Sequence, residues 1–454
     1  MRSDIIIIGG GASGLMAAYA AAERAASDGR SLQVTVLEKM PRPARKIMIT
    51  GKGRCNFTNL KTWNDFSPHV RANPAFVKSA FYAFGPQNVI DLLESYGLKT
   101  VVERGDRAYP ASYRAADVVD TLVRACHSKG VKIETQWEVS DISQEPKGGF
   151  CVESTDGRKY LCDKLIIATG GLSYPGTGST GDGYRWAAGT GHAVRDCFPS
   201  LTALVPRGYK VAEAVSRDGR WHIDRSTPLS ETGRALCGQH LTNVALSLYT
   251  AGSLADVAQG ELEFTDGGIE GPIGYALSRK AVKAMINGSR LRLSLDLKPG
   301  VPLQELTARV KELWQSVDRD PRSQRLREKE KCRILLGKLI PWDLIPGFTA
   351  CHPEIITLER RSRTETKVWI NLPSIAKALK EWEFDIAGYV GWERCVVTAG
   401  GVSTDQVLAK SMASRLCPGL YFCGEVLDID ADTGGYNLQL AFSTGHLAGE
   451  SAAR

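Results

Sequence analysis

The chain opens on a continuous β-branched run, Ile5-Ile6-Ile7-Ile8. Such a run predicts a strand buried on both faces rather than one with a wet side. Residues 15–26 follow with alanine-rich helical spacing, Asp28-Gly29 breaks the pattern, and residues 33–37 predict a second strand ending at Glu38. The unit is therefore βαβ. Two further buried-strand patterns, Leu165-Ile166-Ile167 and Leu420-Tyr421-Phe422, also run into glycines, and residues 441–453 read as a helix of small side chains. Between about 193 and 392 the pattern changes. Residues 201–205, 241–249 and 261–264 alternate as strands do, whereas 278–286, 303–316 and 325–336 have the helical period.

These elements predict an α/β fold in three parts. A Rossmann-like domain is assembled from residues 1–192 and 393–454. A β-rich, barrel-like insertion spans 193–270 and 350–392, and a small helical subdomain spans 271–349. No internal repeat or low-complexity tract is evident.

Composition narrows the class. The 454 residues are 43% hydrophobic and 24% charged, which excludes a disordered, collagen-like or small disulfide-stapled protein. The net charge of +7 is mild for this length and does not by itself argue for nucleic acid. The 11 cysteines are odd in number, irregularly spaced and never arranged as Cys-x-x-Cys, which predicts reduced thiols and no metal site. Residues 5–22 imitate a signal peptide, but Gly9, Gly10, Gly11 and Gly14 interrupt them. A soluble cytoplasmic protein is expected, without a membrane partner.

The 46 glycines cluster in motifs. Gly9-x-Gly11-Ala12-Ser13-Gly14 lies between the first strand and the first helix, the context that a dinucleotide fingerprint requires. In that reading Gly9 makes the tight turn, Gly11 admits a pyrophosphate and Gly14 lets helix and strand approach. The helix N-terminus turns its free N–H groups on the phosphates. Glu38, beside Lys39, stands where a carboxylate accepts from ribose hydroxyls, which argues against a 2′-phosphate. At the far end, a strand runs into Gly424-Glu425, and Thr433-Gly434-Gly435-Tyr436-Asn437-Leu438-Gln439 opens the last helix. Together the two segments resemble the two-part FAD site of glutathione-reductase-type flavoproteins. The resemblance implies ADP at the N-terminal βαβ and the ribityl chain at Gly424 and Glu425. It also implies that the last helix, with Gly435, Tyr436, Asn437 and Gln439 at its start, points at the flavin ring.

A denser motif is Lys46-Ile-Met-Ile-Thr-Gly51-Lys-Gly53-Arg54-Cys55-Asn56-Phe-Thr58-Asn59. With residues 168–175, 178–184, 268–272 and 397–402 it resembles the bacterial flavoprotein family called YhiN-like, BaiN-like, HI0933-like or aminoacetone-oxidase-like, from end to end of the chain. The resemblance implies an FAD-dependent oxidoreductase with unassigned substrate. It also implies cofactor contacts from Ala168, Thr169 and Gly170 and, through the backbone of a strand end, from Val139. In the 46–59 loop, the glycines permit close backbone approach, and Lys46, Arg54 and Asn56 offer donors to phosphate or to a flavin edge. A rigid turn capped by its own Asn and Thr is the competing reading. Gly176-x-Gly178-x-x-Gly181 also spells the fingerprint, but it follows Tyr174-Pro175 rather than a strand, so it is not read as a second nucleotide site.

The expected chemistry is hydride transfer between non-covalently bound FAD and a small organic substrate, with NAD(P)H as a transient donor. No catalytic acid or base is assigned, because no His/Asp or Cys/His constellation is visible. His192 and His446 read as packing or helix-end residues, and Cys55 as a buried small residue. The basic run Arg322, Arg325, Arg327, Lys329, Lys331 and Arg333, interleaved with Glu328 and Glu330, reads as a solvated helix face. It also supports the alternative class, a flavin-dependent RNA-modifying or RNA-associated protein. A nucleic-acid partner is the less favoured expectation.

Overall fold

The isoleucine run lies at the centre of a seven-stranded sheet, in the strand Arg2–Ile8. On one side it pairs in parallel with Val34–Leu37, and that strand with Lys132–Glu134. On the other side it pairs in parallel with Lys159–Ile167. Ile5, Ile6, Ile7 and Ile8 are all buried. Burying each such side chain contributes about 1.5–3 kcal/mol. The long strand changes partner along its length: residues 159–162 pair antiparallel with Phe150–Ser154, and residues 165–167 pair in parallel with the C-terminal strand Leu420–Phe422. The C-terminus thereby completes a sheet that the N-terminus begins.

The computed structural model describes residues 1–212, 215–217, 220–223, 226–360 and 366–454. It divides into two compact units, Met1–Ser200 with Cys395–Arg454, and Leu201–Arg394. In the first unit, the helices Ala12–Ser27 and Tyr436–Ala452 pack along each other. A Cβ at Gly445 would strike the Ser13 backbone, and one at Gly449 the Ala17 backbone. The first helix is alanine-rich because the sheet and the last helix both crowd it: Leu15, Met16, Ala17, Ala18 and Ala21 are all 0% exposed.

In the second unit, six strands close into a barrel: Leu204–Pro206, Gly268–Glu270, Ser253–Thr265, His240–Thr250, Leu291–Asp296 and Trp382–Val390, the last pairing back to the first. Side chains alternate in and out, with Leu291, Leu293 and Leu295 facing inward beside Trp382, Phe384 and Ile386. Leu291–Asp296 lies within 271–349, so that stretch is not purely helical. Its Leu-x-Leu-x-Leu alternation is a strand period that the surrounding helical patterns obscured. The helices Gly271–Ile286 and Leu303–Arg319 cover the first two helical patterns; the third, 325–336, begins only at Glu328, in the helix Glu328–Gly337, so Arg322, Arg325 and Arg327 lie in the turn before it and not on a helix face. Among the described residues, no helix is long and apolar enough to cross a membrane.

Candidate functional site

The loop after the first strand is built of close approaches and one opening. Gly9 has φ +104°, and a Cβ there would stand 2.5 Å from the Ala168 carbonyl oxygen. A Cβ at Gly14 would strike the Gly9 carbonyl oxygen. Gly11, in contrast, has an extended backbone (φ −78°, ψ −170°), and its Cβ would meet nothing within 4 Å. Behind it, Ala12 and Ser13 begin a helix whose N-terminus carries no side-chain cap. Uncapped N–H groups beside open space form an anion cradle. Ser13 also meets the other chain end, since a Cβ at Gly424 would strike its hydroxyl.

Glu38 is buried, and its carboxylate accepts from Gly10 N–H at 2.7 Å and Met40 N–H at 2.8 Å. Burial raises its pKa despite these two bonds. Each oxygen keeps a further lone pair for a hydroxyl. Lys39 is held by Asp182 at 2.8 Å and by Thr180.

Four of the motif segments converge on one ionic cluster. Lys46 Nζ donates to Ser173 Oγ at 2.8 Å and to Glu425 Oε2 at 3.0 Å. Glu425 Oε1 accepts from Ser173 Oγ at 2.7 Å and from Thr398 N–H at 2.9 Å. Thr398 Oγ in turn accepts from the N–H groups of Leu172 and Ser173. Burial pushes the Glu425 carboxyl up, but Lys46, the Thr398 N–H and Ser173 more than offset it and hold the pKa below the usual carboxylate range. A depressed carboxyl stabilises the fold above its unfolded pKa, and that stability is lost as pH falls through the folded value. Lys46→Met removes the cation and leaves burial to dominate, which moves the Glu425 pKa up. The variant is expected to lose about 1–3 kcal/mol at pH 7, and the deficit should narrow toward pH 5 as the stranded carboxylate takes up a proton. Thermal unfolding at the two pH values checks this, and an equal deficit at both would contradict it.

The 46–59 loop is conformationally unusual. Gly51, Lys52, Gly53 and Cys55 all have positive φ, as has Ala44 just before the loop. Cys55 is 0% exposed and burial pushes its thiol up to about 12, so it is a neutral buried residue, as read. Arg54 binds Glu103 at 3.1 Å and lies over Tyr109 and Tyr113. Asn56 is different: both ends of its side-chain amide are buried without a partner. Its Oδ1 lies against Gly435, which has φ +90° and opens the last helix, again without a side-chain cap. The same loop grips that helix start through Thr58 with Gln439 and Asn59 with the Gly434 carbonyl oxygen at 3.2 Å.

Several expected site residues are occupied by the fold itself. Gln439 is fully buried, and its amide is spent on Thr58, the Phe84 carbonyl oxygen and Ser443. Asn437 grips the backbone of Ala431 and Asp432. Thr169 faces Gly183, and Gly170 faces Ser179. Val139 begins the strand Val139–Gln144 instead of ending one, because Trp137 fills the core just before it. Gly178 and Gly181 shape the loop before the helix Asp182–Gly189 and follow no strand directly. His192 is buried between Thr190 and Ser414, and His446 stacks on Phe84. In both, burial lowers the imidazole pKa, as suits packing residues.

One pair escaped the sequence reading. His69 and Asp432 are 363 positions apart, and His69 Nδ1 lies 2.9 Å from the Asp432 carboxylate. Arg71 clamps the same carboxylate at 2.6 and 2.7 Å. The only sequence signal is that Asp432 adjoins the Gly434-Gly435 turn.

The open cradle at Gly11, two uncapped helix starts and the orphaned Asn56 amide suit a long ligand with a pyrophosphate and a polar ring edge, which FAD is. The chain is 32% identical over 450 residues to the 3-dehydro-bile acid delta(4,6)-reductase of Clostridium scindens, covering 98% of each. It is 30% identical over 460 residues to the ribosomal RNA dihydrouridine synthase of Haemophilus influenzae, covering 100% of this chain and 99% of that one. A 3-ketosteroid delta1-dehydrogenase from Sterolibacterium denitrificans has a similar solved structure, with 13% identity, a TM-score of 0.49 and coverage of 100% of this chain and 99% of that chain. The HI0933-like protein Rossmann domain matches residues 3–451. With that match along nearly its whole length, the chain belongs to the HI0933-like family and is an FAD-dependent oxidoreductase.

Proposed function

We propose that this protein reduces a carbon–carbon double bond conjugated to a carbonyl, using non-covalently bound FAD that NAD(P)H recharges. The observation that carries the reading is that relatives with very different substrates match the chain from end to end. A bile-acid delta(4,6)-reductase and a dihydrouridine synthase share one chemical act, hydrogenation of a bond activated by a nearby carbonyl. FAD supplies the hydride when bound.

The residues then take these roles. Backbone N–H groups at Gly11, Ala12 and Ser13 hold the pyrophosphate, and Glu38 accepts from the adenosine ribose. Gly424 lets the ribityl chain approach the backbone. The Lys46–Glu425 pair fixes the floor beneath it. The Asn56 amide and the helix start at Gly435 and Tyr436 meet the polar edge of the flavin, where the positive dipole end favours developing negative charge. The protein works in the cytoplasm.

The test is anaerobic. Purified protein should carry FAD, lose its flavin absorbance with NADH or NADPH, and regain it on adding enones or uracil compounds but not saturated ketones or amines. Release of FMN, or reoxidation by oxygen with no response to any activated alkene, would refute the reading.

A specific observation favours RNA as the carrier of the reducible base. Arg322, Arg325, Arg327, Lys329 and Arg333 are all exposed, while Lys331 is buried and paired with Asp318 at 2.7 Å. Five unburied cations in one segment suit a phosphate backbone. RNA retention that falls steeply with salt, and falls further when these residues are replaced by Gln, would support it.

A further inference from the structure

We propose that His69 is the proton donor of this reduction, oriented by Asp432, which Arg71 locks in place. The proposal rests on the double-bond reading and adds the half of the chemistry that the flavin does not supply. Saturating an activated alkene takes a hydride and a proton, and the two go to different carbons. A positioned acid is needed for the second.

The geometry singles out this imidazole. Its Nδ1 is committed to Asp432, so Nε2 is the nitrogen left to act. Asp432 cannot swing away, because Arg71 holds both of its oxygens. The backbones are also tied: Asp432 N–H donates to the His69 carbonyl at 2.9 Å, Arg71 N–H donates to the Asp430 carbonyl at 2.7 Å, and Val70 bridges to Ala431. The ring plane is set by stacking on Tyr436, 4.4 Å between centroids and 22° from parallel. Tyr436 is the first residue of the last helix, next to Gly435 and the orphaned Asn56 amide. His69 therefore stands at the helix start assigned to the flavin ring. Its side chain is 36% exposed against 16% for Asp432, so the dyad is anchored at its carboxylate end and open at the other.

Hydride addition at the β carbon leaves the former double-bond pair on the α carbon and its carbonyl. The Nε2–H bond of protonated His69 breaks and a bond from hydrogen to the α carbon forms. The N–H pair stays on Nε2 as neutral imidazole, which solvent reprotonates. The charged and titratable groups around the ring are Asp432, Arg71 and Tyr436, with Arg107 and Asp106 beyond the tyrosine.

The experiment compares wild type, His69→Gln and Asp432→Asn in separate half-reactions. In His69→Gln, reoxidation of the reduced protein by an enone should fall about 100–1000-fold, and the fall in rate on the alkaline side of its pH profile should vanish. FAD content and NAD(P)H bleaching report the electron half independently. Nitrogen-15 NMR of labelled histidines should show His69 with its proton held on Nδ1 in wild type and a mixture of tautomers in Asp432→Asn, a readout that needs no turnover and also serves if His69→Gln does not fold. Reoxidation of His69→Gln at the wild-type rate, with an unchanged profile, overturns the role of His69 alone. A wild type that no activated alkene reoxidises overturns the double-bond reading and this proposal with it.

Discussion

Gly11→Val should fold as the wild type does and lose FAD. The backbone at Gly11 is extended, with φ −78°, a conformation that valine adopts freely. A side chain there therefore meets no positive-φ penalty. Its Cβ would enter open space, so no protein atom has to move. The isopropyl group would instead fill the space proposed above for the pyrophosphate, at the uncapped helix start. A loss of at least ~100-fold in FAD affinity is expected, about 2.7 kcal/mol, with the unfolding temperature of the apoprotein nearly unchanged. The FAD-to-protein absorbance ratio and apoprotein melting measure the two effects separately. Full FAD occupancy in the variant would mean that the loop is only a turn.

Gly449→Val should do the reverse, breaking the fold before it can affect the cofactor. Gly449 is helical and far along the last helix, and its Cβ would lie within the backbone of Ala17. The first and last helices would have to separate, undoing the closest packing between the chain ends. Gly445 makes the same approach one turn earlier, against Ser13. Overpacking against rigid backbone costs about 3–5 kcal/mol at such a site, or roughly 6–20 °C in melting temperature for a unit of this size. FAD would be lost only as a consequence. A variant that melts like wild type would show that the two helices can slide apart, and that the FAD site does not depend on their contact.

The sequence alone determined the N-terminal βαβ, the family and the neutrality of Cys55. These are local: a β-branched run, glycines at fixed spacing and an acid at a strand end act through the backbone of their own segment. It also located the segments that converge, since Lys46, Ser173, Thr398 and Glu425 all lie in or beside motifs singled out by their residues. The tertiary structure decided what each side chain does there. Gln439 and Asn437 look like ligand-binding amides in sequence, but backbone carbonyls brought in by the fold consume them. Leu291–Asp296 became a barrel strand because its partners come from distant positions, where a helical neighbourhood gave no hint of them. Only folding could disclose His69 and Asp432, because a dyad is a distance and these two residues are 363 positions apart along the chain. Pairing across such a separation depends on which strands and helices pack, a non-local outcome that no spacing rule encodes.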